Sequence, residues 1–95
     1  MKQAHRELIK AAFRQGFTCS VYDGEEWQVK RSRNLAACIA AIRSVDEAEL
    51  RFRDKDGQPV GWALVSDAVD LHPEEKVIDH TACDWMEAAL YCAEA

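Results

Sequence analysis

Two Asp-Gly pairs, Asp23-Gly24 and Asp56-Gly57, each flanked by apolar–polar alternation, constrain this 95-residue chain more than any other feature. Asp-Gly supplies the left-handed backbone of a tight turn, so each pair predicts a β-hairpin. The first runs from Phe17 to Arg31 and the second from Ala48 to Ser66, and each carries one tryptophan, Trp27 or Trp62. In the first, a loop of Tyr22-Asp23-Gly24 with a G1 bulge pairs Val21 with Glu25 and Cys19 with Trp27. That register keeps the apolar residues of both strands on one face. In the second, a loop of Lys55-Asp56-Gly57 pairs Asp54 with Gln58, Phe52 with Val60, Leu50 with Trp62 and Ala48 with Leu64. Both indoles are then expected to face the core. Pro59 suits an edge or a bulged start, because it cannot donate to a ladder.

Three helices are expected around these hairpins. From about Lys2 to Gln15, Leu8, Ile9, Ala12 and Phe13 form one apolar stripe, and Gly16 provides a left-handed stop on which Phe17 folds back. Ser32 is read as the N-cap of a helix over about Arg33 to Arg43, apolar nearly all round and rich in alanine. Thr81 and Asp84 resemble a capping box before a helix over about Ala82 to Ala93 that presents Trp85, Met86, Ala89 and Leu90. Ser66 to His80 is the least regular stretch; His72-Pro73 interrupts it and Pro73-Glu74-Glu75 could open a short helical turn. The expected architecture is a single α+β domain, α-β-β-α-β-β-α. It has two layers, with a four-stranded antiparallel sheet covered on one face by the helices.

Hydrophobic content of 48% with 31% charged residues is that of a globular domain rather than a disordered chain. The longest apolar run, Leu35 to Ile42, is too short to span a bilayer, and the charged, amphipathic start has no apolar signal core. A cytoplasmic location is therefore expected. The four cysteines, Cys19, Cys38, Cys83 and Cys92, read as small hydrophobes in a reducing compartment rather than as a disulfide framework. The net charge of −5 is unevenly spread. Residues 1–55 carry eleven basic and eight acidic side chains, whereas residues 56–95 carry one basic and nine acidic. An acidic C-terminal half disfavours phosphate-backbone binding there and favours a basic protein partner.

Catalytic and metal chemistry find little support. His80-x-x-Cys83, with His72 and Cys92, offers soft ligands but not the paired spacing of a zinc site. Asp79-His80 beside Cys83 is the one compact set with the residue types of a thiol nucleophile, at spacings that do not converge on one substrate atom. No catalytic residue, metal or cofactor is expected. A nucleic-acid surface on the open sheet face, using Lys30, Arg51 and Arg53, is the alternative; with the aromatics pointing inward it lacks stacking platforms.

The stretch Val21-Tyr22-Asp23-Gly24-Glu25-Glu26-Trp27-Gln28-Val29-Lys30-Arg31-Ser32 resembles a family of short uncharacterised proteins encoded by tailed phages and prophages. Ser44 to Asp54, Gly61-Trp62-Ala63-Leu64, Pro73-Glu74-Glu75 and Trp85-Met86-Glu87-Ala88 continue the likeness. The resemblance implies a small accessory protein made in a bacterial host and transfers no activity. Together these features lead to the expectation of a non-catalytic protein that binds a host macromolecule, foremost a protein. Its expected contact surface is Asp67, Asp70, Glu74, Glu75 and Asp79. Self-association through the alanine-rich middle helix, giving a homodimer, is a third possibility; no membrane role is expected.

Overall fold

The computed structural model describes residues 3–67 and 76–94, with side chains through residue 91. The order of elements is α1 (Ala4–Arg14), β1 (Thr18–Tyr22), β2 (Trp27–Ser32), α2 (Leu35–Arg43), β3 (Ala48–Arg53), β4 (Pro59–Val65), β5 (Val77–His80) and α3 (Asp84–Glu94). The α+β class is as expected. The four-stranded sheet is corrected to five antiparallel strands in the order β2-β1-β3-β4-β5. The added strand lies in the stretch read as irregular, where Val77 pairs with Val65 and Asp79 with Leu64. Four residues that include a histidine and an aspartate carry too short an alternation to announce a strand. Pairing with β4 supplies what local pattern does not. Pro73-Glu74-Glu75 and its expected turn lie outside the described residues.

Local signals set the helix ends. Gly16 takes φ 86°, and the Phe17 amide donates to the Ala12 carbonyl at 2.9 Å while Gly16 donates to Phe13, closing α1 by the reversal its glycine predicts. The N-cap of α2 is corrected from Ser32 to Asn34, whose Oδ1 accepts from the Ala37 amide at 3.2 Å; Ser32 Oγ instead accepts from the Asn34 amide. Thr81 caps nothing. Its backbone and hydroxyl are both spent on Trp62.

The register of both hairpins departs from the expected one, and this reorganises the molecule. Asp54 and Gln58 do close the second turn, the Asp54 amide donating to the Gln58 carbonyl at 3.0 Å. Beyond it Arg53 pairs with Pro59 and Phe52 with Gly61, so Val60 is an extra residue on β4. A one-residue bulge exchanges the two faces of every residue that follows. Gly61, Ala63 and Val65 therefore point inward with Phe52, Leu50 and Ala48, and Trp62 and Leu64 point outward with Arg51 and Glu49. In the first hairpin Asp23 pairs with Glu26 across Gly24 and Glu25, and Tyr22 with Trp27, which puts Trp27 outside as well, 40% exposed. The expectation that both hairpin tryptophans fill the core is corrected: neither does.

The indole in the core region belongs to α3. Trp85 meets Phe17 and Phe52 edge-on at 5.5 and 5.1 Å, and its Nε1–H donates to the Val60 carbonyl at 3.0 Å. Around it Leu8, Ile9, Ile42, Leu50, Phe52 and Met86 are fully buried in one cluster between the inner sheet face and the helices. Gly61 is the contact point. A Cβ there would stand 2.8 Å from Met86 Sδ and 3.0 Å from Trp85 Cζ2. Gly61→Ala is expected to cost about 1–3 kcal/mol by overpacking α3 against β4. A urea unfolding midpoint that does not move would show that α3 can lift without penalty.

Candidate nucleic-acid interface

Strand pairing lays the outer face out in cross-strand rows. The first row reads Trp27, Tyr22, Glu49, Leu64 and Asp79 from β2 to β5. The second holds Ser20, Arg51 and Trp62, and the third Thr18 and Arg53. Lys30 is exposed on the edge strand β2, directly after the inward-facing Val29. All three basic residues expected on this face are therefore near it. The aromatic side chains missing from the expected face are there too.

Each aromatic is held in place. Tyr22 and Trp27 stack at 4.9 Å between ring centroids, and the Tyr22 hydroxyl donates to the Gly24 carbonyl at 3.2 Å. The turn beneath is fastened by Asp23, whose Oδ1 accepts from the Glu25 and Glu26 amides at 2.8 Å and whose Oδ2 accepts from Gln28. These bonds hold the Asp23 carboxyl below its ordinary range. The backbone of Trp62 is clamped by Thr81, which accepts from the Trp62 amide at 3.0 Å and returns its own amide to the Trp62 carbonyl at 2.9 Å. A shallow hollow of about 330 Å³ lies there, lined by Arg51, Arg53, Pro59, Val60, Trp62 and Thr81 among others. Arg53 donates to the Gly57 carbonyl at 2.8 Å, and Arg51, half exposed, leans on Glu49 at 3.2 Å. Standard strand spacing puts Tyr22 and Trp62 roughly 12 Å apart, two strands over and one pleat along, with Arg51 between them.

Of the acidic surface expected from the sequence, Asp67 and Asp79 are among the described residues. Asp67 is nearly enclosed, its side chain 9% exposed, and it pairs with two cations, Arg43 Nε at 2.7 Å and Lys76 Nζ at 3.0 Å, with His5 Nε2 close by at 3.4 Å. Burial alone would raise its pKa, but the Arg43 and Lys76 bonds and the nearby His5 outweigh this and hold it below the carboxylate norm. Asp79 is exposed on β5 at the end of the first row. Asp70, Glu74 and Glu75 lie outside the described residues. His80 Nδ1 sits 2.8 Å from the Thr81 carbonyl and Cys83 Sγ 4.0 Å from the Val60 carbonyl. Among the described residues no three His, Cys, Asp or Glu side chains are grouped to hold a metal, and no helix is long and apolar enough to cross a membrane.

Tyr22, Trp27 and Trp62 are the residues that reading the sequence left out of the interface. The signal that bears on Trp62 was present: Pro59 at the start of β4 marks a place where the ladder can slip by one. Comparison of the chain with protein-family models, with curated proteins and with solved structures gives no significant match.

His5, completely buried on α1 beside this cluster, has neither ring nitrogen in a hydrogen bond among the described residues. Burial lowers its pKa from 6.5 to about 4; Asp67 opposes the shift, and Lys76, Arg6 and Arg43 add to it. Above about pH 6.5 the depressed value has no effect on stability. As the pH falls from 6.5 to about 4, the unfolded chain takes up a proton that the folded one refuses. Stability therefore drops over that window by up to about 3 kcal/mol. The Asp67 contribution is retained there and is lost only below the ordinary carboxylate range. His5→Leu is expected to flatten the decline between pH 6.5 and 4, read as unfolding free energy against pH. A His5→Leu profile parallel to the wild type would place the acid sensitivity elsewhere.

Proposed function

We propose that the protein is a non-catalytic module that binds single-stranded nucleic acid on the outer face of its sheet. The observation that carries this reading is the arrangement of Trp62, Tyr22 and Trp27 on the same outer face, opposite the described helices, as Arg51 and Arg53. Single strands are bound without sequence readout by stacking bases on aromatic rings while basic side chains follow the phosphates. Two stacking positions with a guanidinium between them supply both parts. Duplexes, whose bases are already stacked and paired, cannot use the rings.

Charge sets the scale of the interaction. Lys30, Arg51 and Arg53 are few, and Glu49 and Asp79 share their face. Two or three phosphate contacts give a salt slope of about −1.4 to −2.1 for a single strand. Stacking, at about 1–3 kcal/mol per base, is then the larger contribution. The setting we propose is an accessory protein of phage or prophage origin acting in the bacterial cytoplasm, on the resemblance carried by the first hairpin. Protein capture through the acidic stretch is the weaker reading. Asp67 is already occupied by Arg43 and Lys76.

Fluorescence anisotropy with labelled 12-nucleotide single strands at low salt tests the proposal. Trp62→Ala is expected to weaken binding about 5- to 150-fold, matching one lost stacking contact. Arg51→Gln should lower affinity and make the salt slope shallower by about 0.7. No anisotropy change with any single strand, or equal binding of duplex and single strand that Trp62→Ala leaves intact, would sink the assignment.

A further inference from the structure

The helical layer is unevenly packed. α1 lies between the other two helices, close against α3 and only loosely against α2. The gap between α1 and α2 is an open groove of about 680 Å³. Leu35, Ala36 and Ala40 contribute to its lining, and Arg6, Arg33 and Arg43 stand around it; among the described residues no carboxylate lines it. Arg33 is fixed at one end, where its Nη2 donates to the Phe13 carbonyl at 2.9 Å and its guanidinium lies 5.8 Å from the Phe13 ring centroid. Arg43 is fixed at the other by Asp67 and remains 58% exposed. The nine residues of α2 separate these ends by about 13 Å.

The opposite flank of the same layer has complementary character. Asp84, Glu87, Ala88 and Tyr91 are all exposed and recur along α3 at the spacing of a single helix face. Tyr91, 75% exposed, is the most open large hydrophobic side chain among the described residues. An acidic face with one aromatic and a basic-rimmed groove lined by alanines match in charge.

We propose that the α1–α2 groove receives α3 of a second copy of this chain, with Tyr91 seated over Ala36 and Ala40 and with Asp84 and Glu87 against the arginine rim. The layer order makes the contact reciprocal. A two-fold axis running along α1 places α2 of each copy over α3 of the other, so the same contact forms twice and the assembly closes as a dimer. A buried aromatic ringed by charge pairs is the usual energetic centre of such an interface. Both sheets then face outward. The dimer uses a different surface from the nucleic-acid interface, so either proposal can fail alone.

Sedimentation velocity from about 5 to 500 µM protein reads the result directly, at low salt and at about 0.5 M NaCl. The expected outcome is a dimer at low salt whose dissociation constant rises at least tenfold in high salt. Tyr91→Ala and Ala40→Glu should each raise it at least tenfold. Both positions are exposed, so circular dichroism and the urea midpoint should stay as in the wild type. Glu87→Arg should be monomeric alone and should recover a mixed dimer with Arg6→Glu. A monomer throughout the concentration range, or a dimer indifferent to both Tyr91→Ala and Ala40→Glu, overturns the proposal.

Discussion

Between the Arg53–Pro59 pair and the Phe52–Gly61 pair, β4 carries one residue, Val60, that has no partner on β3. Its carbonyl does not go unsatisfied. It accepts the Trp85 indole N–H at 3.0 Å, with Cys83 Sγ at 4.0 Å. A partly buried indole needs an acceptor and a bulged carbonyl needs a donor, so α3 and the bulge stabilise each other. The consequences extend to both sides of the sheet. Inward, β4 offers only Gly61, Ala63 and Val65, a low surface into which Trp85 and Met86 can settle beside Phe52. Outward, the same slip delivers Trp62 to the row of Arg51.

A second constraint is the Asp67 cluster, which ties α1 through His5, α2 through Arg43 and the segment before β5 through Lys76. Enclosing a carboxylate is costly unless its oxygens are taken up, and here two cations take them up. A neutral His5 follows from the same enclosure: burial disfavours its charged form, and Lys76, Arg6 and Arg43 add to this against the pull of Asp67. The cluster also holds Arg43 at the mouth of the α1–α2 groove. The electrostatic character of that groove thus depends on a buried acid.

How much of this was legible in the sequence depended on the range of the interaction that decides each feature. Residues that act within a few positions were readable: the Leu8–Ile9–Ala12 stripe, the Gly16 reversal and the Asp54–Gln58 turn all form as their local chemistry dictates. The face of Trp62 was not. Its parity turns on whether Val60 is counted into the ladder, and that is settled by Trp85, twenty-five positions away. The apolar set of the strand was a misleading guide, because the inward positions of β4 include Gly61 and Ala63, less hydrophobic than the tryptophan between them. The surroundings of Asp67 are hidden from the sequence for a related reason. In sequence it is one of several acids in a charged stretch, and only the meeting of α1, α2 and the lysine before β5 takes it out of solvent. Of the candidate interface, the basic residues were readable as charges, whereas the aromatics could be assigned to it only after the register was known.

The outer aromatics still have a purely structural explanation to answer. Cross-strand pairs such as Trp62 with Arg51, or Tyr22 with Trp27, stabilise a sheet by about 0.2–1 kcal/mol each, and aromatic side chains suit strands in any case. That gain does not require an indole. A β-branched residue at either position would satisfy strand preference without placing a large ring on a face that none of the described helices covers. The chain has three tryptophans and commits one, Trp85, to packing against Phe17 and Phe52. The Trp62 backbone is then held by two bonds to Thr81, one to its hydroxyl and one from its amide, and Trp27 by a turn fastened through Asp23, so both rings are presented from rigid backbone. Preorganised rings lose little freedom when a base stacks on them. The two roles also differ in magnitude. A sheet-stabilising pair contributes about 0.2–1 kcal/mol to folding, whereas a stacking platform concentrates about 1–3 kcal/mol per base in the complex and adds little to folding. The energetic signature of this face should therefore appear on binding rather than in stability.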